Sequence, residues 1–70
     1  MADRFATIKE SSGSLRTGPG THHGLIAYIG KGRDVAVKSV SGDDWAYVQV
    51  LEGPDAGATG YMHTVNLRFR

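Results

Sequence analysis

The chain has 70 residues, no cysteine, and eight Lys and Arg against seven Asp and Glu, for a formal charge of +1. That length allows one compact domain over residues 1–70, and the missing cysteines exclude disulfides and thiolate zinc sites. A composition 40% hydrophobic and 21% charged excludes a charge-driven disordered chain. The scattered cations do not make the basic face that duplex nucleic acid demands, so a nucleic-acid partner is not expected.

The N-terminal MADRFATIKE has no long apolar run and carries Asp3, Arg4, Lys9 and Glu10, so it does not read as a signal peptide. No stretch approaches the ~20 apolar residues of a membrane span. The chain is therefore expected to be soluble, with no membrane partner; export would need a signal in a longer parent. Within that opening, Phe5 to Lys9 is apolar enough for a first strand, and Ser14 to Thr17 forms a second extended piece. Gly18-Pro19-Gly20-Thr21 follows, and proline before glycine predicts a type II turn with positive φ at Gly20.

Leu25 to Ile29 reads as a third strand and Asp34 to Val40 as a fourth, separated by Gly30-Lys31-Gly32. The polar turn Ser41-Gly42-Asp43-Asp44 leads into Trp45 to Leu51, where Ala46, Val48 and Val50 face one way and Trp45, Tyr47 and Gln49 the other. Ala58 to Thr64 returns after a loop containing Gly53-Pro54, and Val65-Asn66-Leu67 suits a 3₁₀ turn leading into a last short strand. Gly32 and Gly60 are expected where a Cβ would crowd the backbone or a neighbouring strand. The tail Arg68-Phe69-Arg70 reads as a solvated chain end. These signals predict an all-β fold, a small barrel of five to six short antiparallel strands. Its expected core is Leu15, Ile26, Ile29, Val35, Val37, Val48, Val50, Met62 and Leu67.

Four segments in this order carry a family resemblance: LRTGPGT (15–21), GKGRDVAV (30–37), DDWAYVQV (43–50) and GATGYMH (57–63). Together they resemble the bacterial Src homology 3 (SH3b) family over about residues 14–67. Tyr61 and Met62 stand where the family pattern has Trp-Val, and Gly13-Ser14 precedes Leu15-Arg16 where it has Leu-Asn before Val-Arg. The resemblance implies an SH3-like barrel acting as a non-enzymatic binding module for cell-wall peptide, peptidoglycan or protein ligands.

The residues themselves recommend no catalytic set and no cofactor. His22, His23 and His63 with Asp43, Asp44 or Asp55 supply the residue types, but no spacing among them recommends a triad or a metal site. The glycines of LRTGPGTHHG are followed by neither Lys-Ser/Thr nor a helix, which rejects a phosphate loop. Adjacent His22 and His23 in an extended segment point to opposite faces, one ring packing over Gly20 or Gly24 or meeting a ligand in a groove. Trp45, Tyr47 and Tyr61 lie on the outward side of their strands, where amphipathic rings give contact area at little entropic cost. The candidate ligand-binding residues are thus Tyr61, Trp45, Tyr47, Tyr28, His22 and His23. Two alternatives stand beside this reading. One is a small structural or interaction subunit of a larger assembly, such as a phage virion part. The other rests on VLEGPDAGATGYM (50–62), similar to the glycine-proline segment of KOW-like barrels that contact RNA.

Overall fold

A computed structural model of the chain describes residues 4–9, 12–42 and 44–70; Asp3, Glu10 and the turn residue Asp43 lie outside them. The elements are β1 (Arg4–Ile8), β2 (Ser12–Arg16), β3 (Leu25–Gly30), β4 (Asp34–Ser41), β5 (Trp45–Val50), β6 (Thr59–His63), a 3₁₀ turn (Thr64–Asn66) and β7 (Leu67–Phe69). They form one antiparallel sheet in the order β3-β2-β6-β5-β4-β1-β7. The strand count is therefore seven rather than five or six, the last short strand after the 3₁₀ turn included.

Period-2 alternation builds the core. Ala46, Val48 and Val50 of β5 are buried, and each is flanked by half-buried residues of the other face. Residues from all seven strands meet in one cluster: Ala6 and Ile8, Leu15, Ile29, Val35 and Val37, the three of β5, Met62, and Leu67. Ala6, Ile8 and Ala46 join the expected core, and Ile26 leaves it, 44% exposed. Alternation along β3 accounts for this, since Ile26 shares the outward face of Tyr28, opposite Ala27 and Ile29; a β-bulge there, with Leu15 paired to Ala27 but Arg16 to Leu25, also leaves Ile26 without a partner on β2. A second bulge leaves Lys38 of β4 between the pairs Val37↔Val48 and Ser39↔Tyr47. It divides β4 into a buried run, Val35 to Val37, and an exposed one, Lys38 to Ser41.

The C-terminal tail is part of this fold, contrary to the expectation of a solvated end. β7 pairs with β1 through Ala6↔Phe69, Thr7↔Arg68 and Ile8↔Leu67. Phe69 packs on the core cluster, with the Arg4 guanidinium 4.8 Å from its ring centroid. The Arg70 amide donates to the Phe5 carbonyl at 3.0 Å, and Arg70 Nη2 lies 3.1 Å from Asp34 Oδ2.

The β2–β3 hairpin joins the rest of the sheet where β2 meets β6, through the pair Arg16↔Tyr61. Two glycines let the strands approach. A Cβ on Gly60 would lie 2.7 Å from the Arg16 carbonyl oxygen and 3.0 Å from Leu15 Cγ, as the sequence led one to expect of a crowded site. A Cβ on Gly13 would lie 2.7 Å from Met62 Sδ. Gly32 differs: nothing lies within 4 Å of its Cβ position, and it serves the β3–β4 turn through a φ of +88°.

Gly60→Ala is therefore expected to lower stability by about 1–3 kcal/mol, since the clash is with backbone. Gly30→Ala, with open space around it, should stay within about 0.5 kcal/mol. Urea midpoints of the two variants check this; equal midpoints would contradict the close approach of β2 and β6.

Candidate functional site

Burying the aliphatic face of β5 turns Trp45, Tyr47 and Gln49 outward, as alternation predicts. On β6 the buried residues are Gly60 and Met62, so Thr59, Tyr61 and His63 share that outward side. The register sets Trp45 opposite His63 and Tyr47 opposite Tyr61. The Trp45 and His63 rings meet edge-on, centroids 5.1 Å apart with planes at 69°; those of Tyr47 and Tyr61 are 5.0 Å apart at 54°. Tilted pairs of this kind contribute about 0.5–1.5 kcal/mol each beyond area burial. All four residues are half-buried, which leaves part of each for a ligand. His63 was not among the ligand candidates; its position two residues from Tyr61 on one strand is the signal that marks it. His63 Nδ1 accepts from the Val65 amide at 3.1 Å, capping the 3₁₀ turn, so the proton of a neutral ring sits on Nε2.

Polar groups border the rings. Ser39 and Ser41, beyond the β4 bulge, stand opposite Tyr47 and Trp45. On the other side Arg16 stands opposite Tyr61, and its Nη1 donates to the His23 carbonyl at 2.9 Å. Arg16 thereby ties the glycine-rich loop to the strand beside Tyr61. The Thr17 amide, donating to the Gly24 carbonyl at 2.9 Å, closes that loop.

Two expectations about the loop are corrected. Gly20 is not among the described glycines of positive φ, so Gly18 to Thr21 is not a type II turn. Instead the Gly20 amide donates to the Gly18 carbonyl around Pro19, and the His23 amide to the Gly20 carbonyl. Nor do the histidines point apart: this second turn breaks the extended geometry and brings their rings to 4.3 Å. The His22 ring covers Gly20 and the half-buried His23 ring covers Gly18, with ring atoms 2.7 Å and 2.6 Å from where a Cβ would stand. The glycines are flat ground for two imidazoles.

Trp45, Tyr47 and Tyr61 thus share one face with His63, and His23 is tethered beside them through Arg16. Tyr28 does not join them. It is 64% exposed on β3 and lines a separate cleft of about 100 Å³ with Arg33, Glu52, Pro54 and Asp55. Among the described residues no group of three or more His, Asp and Glu could hold a metal ion. What the face offers is ring surface for stacking on flat amide or sugar faces, with hydroxyl, imidazole and guanidinium donors at its border.

Arg16→Met keeps the aliphatic stem and removes the donor. It is expected to speed hydrogen exchange at the Thr17 amide by about tenfold, from loss of about 1.5 kcal/mol of charge-assisted bonding. The Val48 amide in the sheet centre should be unaffected, and NMR exchange rates test both. No family model, no curated protein and no solved structure matches this chain, so the reading of the site rests on its own geometry.

Proposed function

We propose that the chain is an SH3-like barrel of the bacterial SH3 type, working as a non-catalytic module that binds a peptide, peptidoglycan-like or protein ligand. The order of elements supports this: an excursion, β2–β3, separates β1 from the consecutive hairpins β4–β5–β6, and a 3₁₀ turn precedes a final strand paired to β1. The shared cluster of residues from all seven strands supports closure of the sheet around one core.

The observation that carries the functional reading is the double aromatic pair, Trp45 with His63 and Tyr47 with Tyr61, on a half-buried outward face. Rings already held by their neighbours lose little freedom when a ligand covers them. A peptide backbone or acetylated sugar lies across the rings, while Ser39, Ser41 and Arg16 supply hydrogen bonds at the border. No step requires a nucleophile, metal or cofactor.

A second reading, a subunit of a larger assembly, is favoured by β3. It is an edge of the sheet, its sequence LIAYIG has neither charge nor proline, and Leu25, Ile26 and Tyr28 are each more than 40% exposed. Edge strands usually carry such guards against pairing with another chain.

A pull-down on purified peptidoglycan compares wild type with Tyr61→Ala and Trp45→Ala, each checked for folding by its melting temperature. Retention by wild type and a loss of at least about tenfold in each variant are expected, the size of a modest hot spot. Absent retention, or retention indifferent to both substitutions, would set this reading aside in favour of assembly through β3.

A further inference from the structure

We infer that the chain has a second, separate ligand site: a basic cleft of about 280 Å³ that takes a compact phosphate polyanion, a diphosphate group. The cleft lies between β1, β7 and the β3–β4 turn, and Lys9, Lys31, Arg68 and Arg70 line it together with Thr7 and Ile8. Four of the chain's eight Lys and Arg thus border one depression, and no described acidic residue lines it.

The backbone beneath these cations is pinned. The Lys9 amide donates to the Asn66 carbonyl at 2.9 Å, fixing Lys9 to the 3₁₀ turn. The Gly32 amide donates to Ile8 O at 2.9 Å, and Ile8 N to Arg33 O at 3.0 Å, holding the turn that carries Lys31 against β1. Arg68 stands opposite Thr7 in the β1–β7 ladder. Three separate segments are therefore held around the cleft before any ligand arrives, which lowers the ordering cost of binding.

Charge decides the class of ligand. Asp34, which bonds two of the lining residues, is already engaged: one carboxylate oxygen accepts from Thr7 Oγ1 at 2.8 Å and the other pairs with Arg70 at 3.1 Å. Lys9, Lys31 and Arg68 have no ion pair among the described residues. Three such cations exceed what one carboxylate neutralises, and the converging like charges repel until a multivalent anion arrives. At about 30 Å³ per water the space equals about nine waters, ample for a diphosphate. A nucleic-acid strand needs a track of cations, whereas Arg4 lies on Phe69 and Arg16 is bonded to the His23 carbonyl.

The test is an NMR titration of the full chain at low salt with sodium diphosphate, ADP and sodium acetate in parallel. Expected are saturable shifts at the Lys9, Lys31, Gly32 and Arg68 amides with diphosphate, weakening as salt rises, and much weaker binding of acetate. ADP binding as tightly as diphosphate identifies a diphosphate borne on a larger molecule; diphosphate alone identifies the free anion. Lys31→Glu should weaken binding about tenfold, while Lys38→Glu, which changes the net charge equally, should leave it within about twofold. Tyr61→Ala should not affect it, which separates this site from the aromatic face. The inference is overturned by the absence of saturable shifts, by equal affinity for acetate, or by equal loss in the two glutamate variants. It is overturned as well if a short single-stranded RNA binds more tightly, with shifts spreading to Arg4 and Arg16.

Discussion

The close approach of β2 to β6 is the constraint on which the rest depends. Each strand gives up a side chain to admit the other: Gly13 makes room for Met62, and Gly60 for Leu15 and the Arg16 carbonyl. Without that reciprocal fit the β2–β3 hairpin would be a two-stranded ribbon attached at its ends, marginal by itself in water. With it, Leu15, Ile29 and Met62 enter the common cluster, and Arg16 comes to rest against Tyr61. One contact between backbones thus completes the core and sets the border of the aromatic face.

The two bulges serve the same end by different means. A cysteine-free chain of this length has only one core to draw on, so each strand has to give it one face. At Lys38 the extra residue ends the buried part of β4 and releases Ser39 and Ser41 to stand beside the rings of β5. At Ile26 the extra residue stands unpaired on the outward face of an edge strand, with Tyr28, while Ala27 and Ile29 face the cluster.

What could be read from the sequence follows from which interactions are local. β5 was fully legible, faces included, because unbroken alternation from Trp45 to Val50 needs no distant partner to interpret it. The 3₁₀ turn was legible for similar reasons, whereas the pairing of Arg68 and Phe69 with β1 depends on a distant strand and was not. Ile26 does not belong in the expected core, and alternation already says so: it shares the face of Tyr28, opposite the inward Ile29. The Gly18 to Thr21 turn was misread because proline and glycine permit several turns, and here the imidazoles above Gly18 and Gly20 and the Arg16 bond to His23 select one. Of the candidate site, the outward rings of Trp45, Tyr47 and Tyr61 were legible. Tyr28 belongs to another cleft, and His63 was passed over although it shares the spacing that marks Tyr61. The basic cleft was beyond reach of spacing altogether, since Lys9, Lys31 and Arg68 come from separate segments that only the fold unites.

Both surfaces take their polar and aromatic groups from residues that the core does not use. Trp45, Tyr47, Tyr61 and His63 are the outward partners of Ala46, Val48, Gly60 and Met62, and Arg68 is the outward neighbour of Leu67. The inward set is small and aliphatic, so the strands pack on one cluster whatever stands outside it. A change at an outward position removes surface without opening a cavity, whereas a change at Gly60 or Met62 disturbs both layers together. In a chain with so little interior, the outward positions of β5, β6 and β7 can therefore vary in side chain while the β2–β6 joint stays fixed. The loop of glycines and histidines lies between these regimes: its ring contacts face outward, but Arg16 anchors it to the joint. Its sequence is accordingly bound to the fold more tightly than its exposure suggests.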